Sequence, residues 1–326
     1  MTNPLYPLLL ERYLSPRLWG GERLKDFLDL DQLPFEDPLG ESWQIYAENR
    51  VLNGAYAGTT LQAVAEILGE ALLGRASVER YGTKVPLLAK FIDAKDKLSI
   101  QVHPDDTYAR SHEASSGHLG KTEAWFVLET EPGASIVWGF KETVSKHTVR
   151  EAIQQGTLEQ YLNVVPVQSG DVIFNPAGTV HAVGAGVLLY EIQQSSDLTY
   201  RLYDYQRRGS DGALRELHVE KALDVAHLVA GERAKLQPHV QKSGWQTLVD
   251  SEFFVLEQRE VGAELELATE SSSLEILTTY QGSITLRCGE QSMLLSRGTS
   301  VLLPALLGSY SLAGTGRVLR SYLPSG

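Results

Sequence analysis

Apolar residues recur along this chain with two periods, and the change from one to the other marks its elements. From about Val85 to Trp138 the runs "VPLLAKFIDA", "KLSIQVH", "TEAWFVLE" and "ASIVWGF" follow one another. Alternation or short branched runs of this kind predict β-strands. A helix is predicted before them over about 59–74, with Thr60 as N-cap and Leu61, Val64, Leu68 and Leu72 at helical spacing through Gly74. Residues 148–162, "TVREAIQQGTLEQYL", read as two short helices divided by Gly156, and "HVEKALDVAHLVA" over 218–230 reads as one more. Strands return at 170–194. After "AGERAKLQPHVQKSG" the pattern becomes a series of short β-rich runs, including "FFVLEQREV" and "LEILTTYQGSITLRC". A domain boundary is therefore expected near 235–242, giving one domain over 1–238 and a second over 239–326.

A faint repeat connects the two. "GDVIFNPAGTVH" at 170–181 aligns with "GTSVLLPALLGS" at 298–309, so that Gly170 falls on Gly298, Pro176 on Pro304 and Ala177 on Ala305. Glycine opening a strand and proline closing it is the punctuation of a small β-barrel. Two such units predict two barrels, and only the first keeps a histidine: Ser309 stands where His181 would be.

The strand "KLSIQVHPDD" carries the candidate chemistry. Its alternation sends Gln101 and His103 to one face while Leu98, Ile100 and Val102 are expected to pack on the other. Pro104 ends the strand, and Asp105 and Asp106 are expected to cap or start a helix. In "GKTEAWFVLE" the residues Lys121, Glu123 and Trp125 share a face, and His181 follows "NPAGTV", where Gly178 permits a close backbone approach. Three strands would thus bring Gln101, His103, Glu123 and His181 into one barrel interior. Two imidazoles, a carboxylate and an amide oxygen suit Zn²⁺, or Fe²⁺ or Mn²⁺. The bland reading of each histidine alone is a surface or satisfied core residue, which is the reading given to His112, His118, His147, His218, His227 and His239. For Trp19, Trp43 and Trp125 core packing is expected.

Composition narrows the partners. The 326 residues are 43% hydrophobic and 21% charged, which permits a substantial core in a soluble protein. No apolar run reaches membrane-spanning length, and no secretory signal is expected at the N-terminus. The formal net charge of −12 argues against a nucleic-acid partner. A single cysteine, Cys288, excludes an intrachain disulfide framework and thiolate metal sites, and suits a reducing cytoplasm.

The segment Gly170–Ala185 resembles the second cupin motif, departing at its end with Ala185 where asparagine is usual. The first cupin motif is replaced by Q-x-H, with nineteen residues before Glu123. Together with "SIQVHPDD", "GKTEAW", "YEIQQSSDLTYRLYDYQR", "RLWGGERL" and "GESWQIYAE", the pattern resembles type I mannose-6-phosphate isomerases of the short bacterial form. The resemblance runs from about 8 to 210 with specific motifs and more loosely through the C-terminal region. It implies a mainly β fold of two cupin-like jelly-roll barrels with helical insertions, the second without metal ligands. It also implies a zinc-dependent aldose–ketose isomerase, acting on a small-molecule sugar phosphate as a monomer or homodimer. Carried over position by position, His103, Glu123 and His181 would hold one Zn²⁺, with Gln101 as fourth ligand. Arg201, Lys121, Glu191 and Asp197 would fall on active-site positions, and Arg207 is a candidate phosphate contact.

The chemistry asks for such a set. Moving a proton between C1 and C2 through an enediol needs a base beside the carbon, a cation near the two oxygens and donors to orient the open chain. Glu191 alternates with Leu189 and Gln193, and a partly desolvated carboxylate there would serve as base; otherwise it is a strand-edge surface glutamate. The same residues also admit another metallo-cupin enzyme, such as an Fe-dependent dioxygenase, or a non-catalytic sugar-binding cupin.

Overall fold

The computed structural model describes residues 5–208, 212–231, 234–241 and 243–325. The fold is mainly β, built from three sheets whose named pairings are antiparallel. A seven-stranded sheet runs in the order Lys235–Leu236, Val172–Asn175, Glu123–Thr130, Val187–Gln194, Leu87–Ala94, Leu39–Ile45, Tyr13–Gly21. A five-stranded sheet runs Tyr200–Tyr203, Ile100–Val102, His181–Val183, Ser135–Phe140, Leu162–Pro166. The third sheet, of nine strands, takes in the C-terminal region together with Leu8–Leu9, which pairs with Thr299–Leu303. The chain leaves the seven-stranded sheet after Leu236 and enters the nine-stranded one at His239.

The seven-stranded sheet is covered on both faces, which explains why its strands read as nearly unbroken apolar runs. Ala89, Phe91, Phe126, Tyr190 and Ile192 pack in one cluster with Leu248, Leu256, Ile276, Leu302 and Leu319 of the C-terminal sheet. The opposite face sends Ile92, Trp125, Val127 and Leu189 against Ile136 and Val183 of the five-stranded sheet. That second sheet is in turn covered outside by Val149, Ala152, Leu158, Ala222 and Leu223 from helical segments. At about 25 cal/mol per Å² of apolar surface, this two-sided burial holds the middle layer rigid and lets polar side chains be fixed on it.

The helices follow the sequence with identifiable departures. Thr60 Oγ1 accepts from Ala63 N at 3.2 Å, capping Leu61–Leu68 as expected. The predicted single helix over 59–74 is instead cut at Gly69 and at Gly74, and a further helix, Arg75–Tyr81, follows. Gly74 has φ +85°, and a side chain there would meet Ser272 O at 2.3 Å; the break is where the helical arm touches the C-terminal unit. Lys146–Gln155 ends at left-handed Gly156 before a 3₁₀ turn, Leu158–Tyr161. The last helix spans only Val219–Val225, because Ala226 turns extended and His227 N donates to Gly178 O. Asp105 accepts from Tyr108 N at 2.7 Å and caps Asp106–His112. Among the described residues no helix is long and apolar enough to cross a membrane.

The faint repeat has a structural counterpart. Five strands in chain order, Leu39–Ile45, Leu87–Ala94, Glu123–Thr130, Val172–Asn175 and Val187–Gln194, pair among themselves as Gln246–Asp250, Val255–Val261, Glu275–Cys288, Thr299–Leu303 and Ser309–Tyr322 do. The registers agree too. Glu123 faces Asn175 and Gln193, while Glu275 faces Leu303 and Tyr322. Glu191 faces Lys90 and Trp125, while Arg320 faces Glu257 and Leu277. Lys90·Glu191 and Glu257·Arg320 therefore occupy one topological position with their charges exchanged.

Candidate active site

The site is assembled by pairing between strands distant in sequence. Gln101 lies opposite both His181 and Arg201 in the five-stranded sheet. On the seven-stranded sheet Lys90, Glu191 and Trp125 form one cross-strand row, and Glu123 lies beside Gln193 and Asn175. Between the two sheets is a cavity of about 400 Å³ whose wall includes Gln101, Lys121, Glu191, Asp197 and Arg201, with Arg17, Trp19, Glu41, Lys90 and Arg215.

Beside Gln101 and Lys121 of that wall, the ligand atoms of His103, Glu123 and His181 lie within 4.8 Å of one another, all buried. The rings of the two histidines are 4.8 Å apart between centroids. His103 Nδ1 is 2.8 Å from Leu198 O, and His181 Nδ1 is 2.8 Å from Thr179 O. A carbonyl only accepts, so each Nδ1 carries the hydrogen and each Nε2 presents a lone pair. Those Nε2 atoms lie 3.4 and 3.2 Å from the two carboxylate oxygens of Glu123. Burial and then nearby Lys121 push the His103 pKa down to about 3, and burial lowers that of His181. Burial works to raise the Glu123 pKa, but Lys121 and the two imidazoles together outweigh it and hold the carboxyl well below its ordinary range. Neutral imidazoles and an ionised carboxylate thus turn lone pairs on one another, an arrangement that repels itself unless a cation lies among them. Lys121 Nζ meets part of that need, at 2.9 Å from Glu123 Oε2 and 3.2 Å from His103 Nε2. Gln101 approaches His181 Nε2 through its amide at 3.3 Å, and turning the amide over would offer its oxygen. The donor set fits a divalent ion of the zinc or iron type.

A second charged cluster stands on the same wall. Lys90 Nζ is 2.9 Å from Glu191 Oε1, and Trp125 Nε1 donates to Glu191 Oε2 at 2.8 Å. Burial, with Glu123 adding to it, raises the Glu191 pKa; burial tends to lower that of Lys90, but Glu191 and Glu41 raise it on balance. Glu41 accepts from Trp43 Nε1 at 2.8 Å and pairs with Arg17 at 3.1 Å. Its burial would raise its pKa, yet Lys90 and then Arg17 bring it down to about 2. This cavity combines a poised carboxylate with fixed cations.

The expected residues fare differently. Leu98 lies before the strand that starts at Ile100; it lines the cavity and packs with Trp19 and Ile92, while Ile100 and Val102 pack in another cluster. Trp125 and Trp19 are packed as expected and also face the cavity. Asp197 is exposed at its rim. Arg207 is absent from its wall. Asp204 binds the Arg207 guanidinium, which also donates to Lys97 O at 2.6 Å, fastening one turn to the next. Lys90, Glu41, Arg17 and Arg215 were missed. Lys90 alone left a trace, as one lysine within the apolar run "LLAKFIDA", where a buried charge needs a partner.

Family profiles described as "Phosphomannose isomerase type I, catalytic domain" and "Mannose-6-phosphate isomerase, cupin domain" match residues 8–122 and 245–323. A mannose-6-phosphate isomerase of Streptococcus mutans is 36% identical over 97% of this chain and 98% of its own. Mannose-6-phosphate isomerase ManA of Bacillus subtilis is 34% identical over 97% and 99%. A crystal structure of the Bacillus subtilis mannose 6-phosphate isomerase superposes with a TM-score of 0.86 at 34% identity, covering 97% of this chain and 99% of that one.

Proposed function

From the premise that the chain belongs to the type I phosphomannose isomerase family, we propose that it interconverts D-mannose 6-phosphate and D-fructose 6-phosphate. One zinc ion would be held by His103, Glu123 and His181, with the Gln101 amide oxygen as fourth ligand. The fold would be two cupin-like jelly-roll barrels, with the site in the first and no metal ligands in the second, where Ser309 replaces the histidine. A cytoplasmic location is in keeping with the lone, unpaired Cys288.

The observation that carries the reading is a buried carboxylate, Glu191, clamped at both oxygens on the sheet that also holds Glu123 of the lone-pair cluster. When bound, the ion supplies positive charge for the oxygens on C1 and C2. Glu191 takes the proton from one carbon and returns it to the other; its raised pKa keeps it a useful acid as well as a base. Trp125 Nε1 and Lys90 fix its orientation, so little reorganisation accompanies the transfer. Lys121, beside the lone-pair cluster, neutralises charge growing at the sugar oxygens. Arg201 presents donors from the opposite sheet, and Asp197 at the rim orients hydroxyls.

The test is exchange of solvent deuterium into C2 of mannose 6-phosphate by metal-quantified protein. Exchange together with fructose 6-phosphate formation is expected, and Glu191→Gln should cut both by at least about 100-fold with metal content unchanged. Oxygen uptake without exchange would move the chain to the dioxygenases; metal and sugar binding without either reaction would make it a binding protein.

A further inference from the structure

We infer that Arg215, paired with Arg201, forms the seat for the substrate's phosphate; this rests on the sugar-phosphate reading above. Both residues line the same cavity. Arg201 is held by a neutral group, its Nη1 donating to Glu216 O at 2.8 Å, and its buried Nε has no hydrogen-bond partner among the described residues. Burial and then the nearby Arg215 lower the Arg201 pKa, the mark of two like charges held close.

Direct carboxylate contacts to this pair are few. The buried carboxylate of Asp204 serves two guanidiniums: it binds Arg207 in the turn and meets Arg215 Nη1 at 3.3 Å. Arg207 is completed by Lys97 O and by Asp96 at 3.5 Å. Arg201 forms no salt bridge among the described residues, with the Glu216 carboxylate acting on it only through space, and Arg215 shares the Asp204 carboxylate with Arg207. Two forked donors of fixed direction suit a phosphate dianion better than a sugar hydroxyl. They stand on the five-stranded sheet and the segment following it, whereas Glu191 and Lys90 stand on the other sheet. A substrate anchored here by its phosphate reaches across to the proton-transfer wall with its carbonyl end.

The experiment measures two quantities on metal-loaded protein: steady-state kinetics with mannose 6-phosphate, and direct binding of inorganic phosphate by calorimetry. Arg215→Ala should raise KM and the phosphate Kd together by about tenfold or more, with kcat within about threefold, since the lost contact is uniform in ground and transition state. Arg215→Lys should recover part of both, a point charge replacing the fork. Unchanged phosphate affinity in folded, metal-replete Arg215→Ala overturns the inference even if isomerisation is confirmed. Phosphate binding that weakens in the variant, from a wild type that does not isomerise mannose 6-phosphate, supports the seat and removes the activity.

Discussion

Replacing Lys90 by methionine removes the one ammonium between two buried carboxylates while keeping most of the side chain's volume. In the native protein Glu41 is 7% exposed and Glu191 is 3% exposed. Holding Glu41 at about 2 instead of the ordinary 4.5 corresponds to about 3 kcal/mol of stability at neutral pH. Lys90 is the larger of its two cationic causes, ahead of Arg17. Glu191 would lose its ion pair as well and keep only the Trp125 hydrogen bond. Breaking a buried pair on one side costs about 3–5 kcal/mol, so a loss of about 3–4 kcal/mol is expected in urea unfolding at pH 7.

The sign with pH separates this cause from a packing defect. A depressed carboxyl such as native Glu41 contributes fully above its unfolded pKa, and that contribution fades as pH falls toward about 2. In Lys90→Met the Glu191 carboxyl, already raised by burial, loses its nearest cation and Glu41 keeps only Arg17, so both folded pKa values move up. Protonation then favours the folded variant, and the gap between variant and wild type should narrow from pH 7 to pH 5. Adding Glu191→Gln to Lys90→Met should recover at least about 1 kcal/mol, since contacting residues are not additive. A loss under about 1 kcal/mol, or a gap independent of pH, would refute the assignment of Lys90 as the counter-ion that makes this wall foldable.

Two further outcomes follow from the same charges. Glu191 must be ionised to accept a proton and its pKa is raised by burial, so the acid limb of kcat/KM should fall at a pH above that of an ordinary carboxylate; a limb at or below 4.5 would exclude it as the base. Arg320 pairs with Glu257 at 2.6 Å, and Tyr310 and Arg320 both face Glu275. Arg320→Met should therefore destabilise by about 3–5 kcal/mol in urea unfolding, and a change below about 1 kcal/mol would show these glutamates to be solvated or protonated already.

Alternation made part of this legible. Gln101 and His103, two apart on a strand, must leave the same face, and His181 after a glycine-containing turn must lie close to backbone. Their meeting with Glu123 required only that three strands share an interior. Lys90 was hidden by its setting, because a strand covered on both faces reads as apolar throughout and one charge within it looks like noise. Glu41 and Arg17 belong to strands at the sheet's far side, where nothing local signals that Lys90 lies beside Glu41. Arg207 was misread for the opposite reason. Its spacing from Arg201 is a local feature, but Asp204, three residues before it, captures the guanidinium first. Arg215 lies beyond the strand Tyr200–Tyr203 in a stretch of sequence with no apolar periodicity to place it. The helix over 59–74 failed at Gly69 and Gly74 because contact with the C-terminal unit, a non-local event, decides the backbone there.

The exchanged charges of the two units explain how one arrangement of strands supports two interiors. In the first, a cation from the Leu87–Ala94 strand meets a carboxylate from Val187–Gln194, leaving that carboxylate on the cavity wall with room for substrate beside it. In the second, the carboxylate Glu257 comes from the earlier strand and the cation Arg320 from the later one. Arg320 is long and forked, and it reaches Glu257 and Glu275 at once while stacking 4.2 Å from the Trp245 ring centroid. Glu275 holds the register position that Glu123 holds in the first unit, and there its partners are a guanidinium and the Tyr310 hydroxyl, where Glu123 faces two imidazoles. A guanidinium from within the chain meets both buried carboxylates there. The first unit leaves three lone-pair groups facing each other with Lys121 at one side, the arrangement of donors that a divalent cation fits.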